Sequence, residues 1–102
     1  MRIIINHSVE YNRALECSDK ILKELSEKHK DKISKMQYQR NGNITDFSFN
    51  VMNFSVKGQL TVSNNNILIE GKLPLAASFF KNIIENTIRQ HAGELIENCK
   101  NE

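Results

Sequence analysis

The spacing of apolar residues changes period twice along this chain, and each change marks a different kind of element. A short apolar strand, Ile3-Ile4-Ile5, comes first. From Val9 to about Lys30, Ala14, Ser18, Ile21, Leu22 and Leu25 recur at helical spacing, with Glu16, Asp19, Lys20, Lys23, Glu24 and Glu27 on the opposite side. Ser8 and Glu10 compete as the cap of this helix, and Val9 is spaced to staple its entry against Ala14. The period then becomes two. Met36 and Tyr38 alternate with Lys35, Gln37 and Gln39, and Phe47, Phe49 and Val51 with Asp46, Ser48 and Asn50. Phe54, Val56, Leu60 and Val62 alternate with Ser55, Lys57, Gln59 and Thr61, and Ile67, Ile69 and Leu73 with Leu68, Glu70 and Lys72. At Pro74, a residue suited to the first turn of a helix, helical spacing returns and runs to about Asn98, interrupted only by Gly93.

This order, β-α-β-β-β-β-α, predicts one α+β domain in 102 residues. It should be a curved antiparallel sheet with two helices packed on one face. Asn41-Gly42-Asn43 and Asn64-Asn65-Asn66 are turn signals, because Asn and Gly accept the positive φ of tight hairpins. Connections this short force neighbouring strands antiparallel. Gly58 and Gly71 fall on the apolar parity, where a missing side chain lets a helix approach or the sheet bend.

The strand parities give the sheet two unlike faces. One carries Tyr38, Phe47, Phe49 and Phe54 and must lie under the helices. The other carries Gln37, Gln39, Ser48, Asn50, Lys57, Gln59, Thr61, Glu70 and Lys72, with Leu68 and Met52 as exceptions. Such a face is left in water or meets a polar partner. It is too polar for a fatty-ligand pocket, and it lacks the aromatics on which single-stranded bases stack. The apolar stripe of the last helix drifts, from Leu75, Ala76, Phe79, Phe80, Ile83 and Ile84 to Ile88, Ala92, Leu95, Ile96 and Cys99. One sheet cannot cover both halves, so the helix should also touch the first helix or another chain. Leu75, Phe79 and Ile83 are the candidate partner surface if that arc is exposed, and burial of Phe79 in the core is the alternative reading.

Little in the chain resembles catalytic equipment. His7, His29 and His91 share no metal-ligand spacing, and no phosphate loop, nucleophile elbow or zinc-protease helix is present. The reading is therefore of a non-enzyme with no catalytic, cofactor-binding or metal-binding residues. His7, between strand and helix, is placed to orient a turn. A formal charge of +2 does not by itself argue for nucleic acid. Locally, Lys28, Lys30, Lys32, Lys35 and Arg40 face only Asp31, which reads as a solvated helix end; with Lys57 it gives a nucleic-acid-binding alternative. No signal-peptide core or membrane span follows Met1, so a reducing cytoplasm is expected, with Cys17 and Cys99 as free thiols and a bridge between them the lesser option.

Several segments together resemble the bacterial family called putative polyhydroxyalkanoic acid system proteins. They are His7-Ser8-Val9 ahead of the first helix with Ala14 inside it, Phe47-Ser48-Phe49, the glycine-centred strand Val56-Lys57-Gly58-Gln59-Leu60-Thr61-Val62, Ile67-Leu68-Ile69-Glu70-Gly71-Lys72-Leu73, and the Ile-rich terminal helix. Where an aromatic of the second strand is often Trp in that family, Tyr38 stands here. The resemblance implies a setting, polyhydroxyalkanoate storage granules, and an accessory role without a defined reaction or catalytic residues to carry over. The implied partners are a protein or the polyester granule surface. The element order also resembles one half of the TATA-binding-protein-like fold and the helix-grip proteins, an analogy about fold alone. A half-saddle of this kind invites a homodimer, and a small hydrophobic ligand between the long helix and the sheet is a further alternative.

Overall fold

A computed structural model describes the backbone of residues 1–100 and the side chains of residues 1–99. Five strands form one open, wholly antiparallel sheet in the order β1-β5-β4-β3-β2. They are β1 (Arg2–Asn6), β2 (Ile33–Asn41), β3 (Ile44–Val51), β4 (Phe54–Val62) and β5 (Asn66–Lys72). Helix α1 (Tyr11–Lys28) joins the two edges of the sheet across one face, and α2 (Lys81–Lys100) packs beside it against α1 and β1. Strands β2 to β5 are a meander of hairpins, and β1 returns the N-terminus to the far side of β5.

Local chemistry accounts for most boundaries. Glu10 rather than Ser8 caps α1, its carboxylate accepting the backbone N–H of Arg13 at 3.1 Å. In the β2–β3 turn Gly42 takes a φ of 65°, which glycine adopts without a Cβ penalty. The β3–β4 turn is Met52-Asn53, both at positive φ (52° and 70°), as a two-residue primed turn requires. Met52, an apolar exception on a strand face by parity, is thus a turn residue. Lys35 also has positive φ, 55°, at a bulge where the β2–β3 register shifts between Ser34 and Gln37.

Phe47, Phe49, Val56, Leu60, Ile67 and Ile69 are all buried on the helix-covered face. Phe47 and Phe49 stack with ring centroids 5.8 Å apart. Ala14, Cys17, Ile21, Leu22 and Leu25 of α1 and Ile84, Ile88, Ala92 and Ile96 of α2 complete the core. Both helices close this face, so the terminal helix shares that work with α1.

Three expectations are corrected. The last helix does not begin at Pro74: Leu75–Phe80 is a 3₁₀ turn, and α2 starts at Lys81. The tighter winding of 3₁₀ geometry puts Leu75 and Phe79 off the face that Ile84, Ile88 and Ala92 bury. Tyr38, assigned to the space beneath the helices, is 43% exposed, because β2 is an edge strand that the helix layer only partly overhangs. Cys17 and Cys99 are not free thiols but a disulfide joining α1 to the last turn of α2. Helix packing brings their Cα atoms to 6.5 Å, within the span a disulfide bridges.

Candidate functional site

The largest departure from ordinary burial lies at the start of the C-terminal helical region. Leu75 is 93% exposed, Phe79 91% and Ile83 57%. Their neighbours hold the segment in place. Ala77 is fully buried and its N–H donates to the carbonyl of Pro74 at 2.9 Å. Phe80 packs on Phe54, ring centroids 5.9 Å apart, which sets the 3₁₀ turn beside the Met52-Asn53 turn. The expected partner surface is therefore one solvent-facing apolar arc, and the exposed side chain of Met52 adds to it. Sequence periodicity missed Met52, since only the register of β3 on β4 reveals the turn; the run Val51-Met52-Asn53-Phe54 carried the one available signal, a break in alternation.

Under Ile83 an apolar recess is lined by Ile33, Phe49, Val51, Ile84 and Ile88. Its volume is about 20 Å³, room for a single water-sized body and not for an acyl chain between helix and sheet. At the rim stand His29 and Lys32, and the Met52 N–H donates to the Lys32 carbonyl at 3.2 Å. The lysine-rich turn after α1 thus abuts the apolar arc. Arg40, counted with that turn in sequence, does not join it: its guanidinium bonds Asp19 of α1 at 2.7 Å and the Gly42 carbonyl at 2.7 Å.

The opposite face of the sheet is polar, and strand register orders it into rows. Gln37, Ser48, Lys57 and Lys72 stand side by side across four strands. The next row is Gln39, Asp46, Gln59, Glu70 and Arg2, in which Gln59 donates to Asp46 at 2.9 Å. Acids in the second row offset the lysines of the first, so the face lacks the single-sign potential that tracks a phosphate backbone. The row through Thr61 is Asn41, Ile44, Thr61, Leu68 and Ile4. Leu68, an isolated exception in the sequence, shares this row with Ile4 and Ile44, which only the register makes visible.

The histidines have structural surroundings. The His7 ring donates from Nε2 to the Ser63 carbonyl at 3.0 Å and accepts the Val9 N–H on Nδ1 at 3.2 Å. Those two bonds fix its tautomer and hold the turn into α1. His91 is buried between the helices, with Nε2 lacking a hydrogen-bond partner. Burial holds its pKa below the ordinary value of 6.5, helped by the nearby Lys28 charge and by His29, while Glu24 and a bond to the Ile21 backbone act the other way. A depressed folded pKa means that the unfolded chain takes up the proton first as pH falls. The contribution is present above about pH 6.5 and is lost as pH falls through the folded value. Melting temperatures should therefore drop on acidification below that point, and His91→Leu should flatten this part of the profile. An identical pH profile for the variant would show that His91 is not the group responsible. Among the described residues, no three or more His, Cys, Asp or Glu side chains are grouped to hold a metal ion, and no helix is long and apolar enough to cross a membrane.

A family model described as "Putative polyhydroxyalkanoic acid system protein" matches residues 1–96. No curated protein matches the chain. Among solved structures, the crystal structure of TTHA0849 from Thermus thermophilus is similar with a TM-score of 0.44 at 10% sequence identity, over 99% of this chain and 94% of that one.

Proposed function

The chain belongs to the polyhydroxyalkanoic acid system protein family, and from that premise we propose that it is a non-enzymatic accessory protein that docks on the outer surface of polyester storage granules through Leu75, Phe79 and Ile83. The observation carrying this reading is the exposure of Leu75 and Phe79, 93% and 91%, on a segment whose other residues anchor it to the fold. A large apolar side chain held fully in water gains nothing for the free protein. Covering one such side chain contributes about 1.5–3 kcal/mol. An apolar solid such as a polyester offers that cover without requiring a shaped pocket, and the recess under Ile83, at about 20 Å³, is too small to hold a chain.

Phe79→Asp is the test. With its side chain already in water, Phe79 supports the fold little, and the variant should melt within a few degrees of the parent, since surface changes alter stability by about 0.5 kcal/mol or less. Its co-sedimentation with polyhydroxybutyrate particles should fall roughly tenfold or more, the equivalent of the burial lost. Undiminished adsorption by a folded Phe79→Asp chain would contradict the proposal.

A further inference from the structure

We propose that the surface engaged by the apolar arc carries negative charge, and that the natural occupant is the headgroup layer of an anionic lipid, with the lysines of the α1–β2 turn and Lys81 contacting it. This rests on the docking face proposed above and specifies the chemistry of its partner.

Two stretches of the chain meet at that end of the molecule. One is the stretch from Lys28 to Lys32, where Lys28, Lys30 and Lys32 stand against Asp31 alone. The other is Leu73 to Ile84, which holds Lys81 and no acid. The hydrogen bond from Met52 to the Lys32 carbonyl, and the recess shared by Lys32, Met52 and Ile83, join the basic turn to the apolar arc. Lys30, Lys32 and Lys81 are all exposed. Apolar side chains that project fully and are bordered by lysine are the composition that seats a protein in an interface: the apolar groups enter the acyl boundary while ammonium groups meet phosphate. An uncharged polyester would use the arc but leave the lysines idle, and a nucleic acid would use the lysines but leave Leu75 and Phe79 in water. Charge complementarity therefore favours an anionic amphiphile over either.

The experiment compares sedimentation of the full chain with phosphatidylcholine vesicles, with vesicles that also contain phosphatidylglycerol, and with bare polyhydroxybutyrate particles. The expected result is preferential binding to the anionic vesicles, weakening steeply as salt rises from about 0.1 to about 1 M and the screening length shrinks from roughly 10 to 3 Å. Each lysine near an anionic surface is worth about fivefold in binding, so K30Q/K32Q/K81Q should lose roughly a hundredfold on those vesicles. The same variant should keep its adsorption to bare polyester, and Phe79→Asp should lose both. Equal binding to neutral and anionic vesicles, or none to either, overturns the lipid inference and leaves polyester docking standing wherever Phe79 still governs adsorption to particles. Adsorption to nothing, or a dimer that Phe79→Asp dissociates, overturns both and assigns the arc to a protein or to a second copy of the chain.

Discussion

Replacing Gly58 with alanine is expected to cost about 3 kcal/mol or more, at the upper end of what forced overpacking costs. Gly58 pairs with Gly71 on β5 and with Phe47 on β3. A Cβ there would run into the Glu70 carbonyl and lie 2.7 Å from the Gly71 Cα. Those are backbone atoms, unable to rotate away, so relief requires the central strands to part. The partner glycine provides an internal control. At Gly71 the nearest obstruction is the Met1 Cε, 2.7 Å away, the free end of a flexible side chain. Gly71→Ala should therefore cost much less than Gly58→Ala, although the two residues face each other. Urea denaturation of both variants checks this, and equal losses would show that strand separation is not what limits the site.

Reduction of the Cys17–Cys99 disulfide should give the second large effect. The bond spans 82 residues of sequence, and fixing a loop that long removes roughly 4–5 kcal/mol of chain entropy from the unfolded state in the simplest treatment, with about 2–4 kcal/mol typical of measured cases. A loss of about 2–4 kcal/mol corresponds to a melting temperature lower by roughly 10–20 °C for a domain of this size. The double variant C17A/C99A should melt near the reduced parent and no longer respond to reductant. Two titratable thiols in the native oxidised chain, or melting curves that coincide with and without reductant, would contradict the bond.

The contrast between these two sites shows what the sequence makes legible. The parity of Phe47, Phe49, Val56, Leu60, Ile67 and Ile69 is local, so period two alone puts them on one face, and all six are buried together. Turn chemistry at Asn41-Gly42-Asn43 is equally local. Cross-strand neighbours are not. Nothing near Gly58 in sequence announces that it faces Gly71, and Leu68 gains Ile4 as a row-mate only through the pairing of β1 with β5, and Ile44 only through the β3–β4 and β4–β5 registers. The approach of Cys17 to Cys99 likewise depends on how α1 and α2 pack, which amphipathic spacing leaves undetermined. Helical spacing through Leu75, Phe79 and Ile83 found the arc but attached it to a continuous helix. Helical and 3₁₀ turns bring the same residue types together over so short a stretch, and the break at Lys81 accompanies the packing of Phe80 on Phe54 of β4. The exposure of the arc was visible in sequence only as a surplus of apolar residues over what one sheet can cover.

Docking through the arc requires Phe79 to leave water when the protein reaches its partner. The chain contains no tryptophan, so Phe79→Trp places a single indole, excited selectively at the red edge of tyrosine absorption, at the centre of the arc. Its fluorescence should match that of a fully hydrated indole in the free protein, then shift to the blue and escape iodide quenching when polyhydroxybutyrate particles or anionic vesicles are added. Emission and quenching that stay unchanged while the protein sediments with either surface would show that it attaches by some other face.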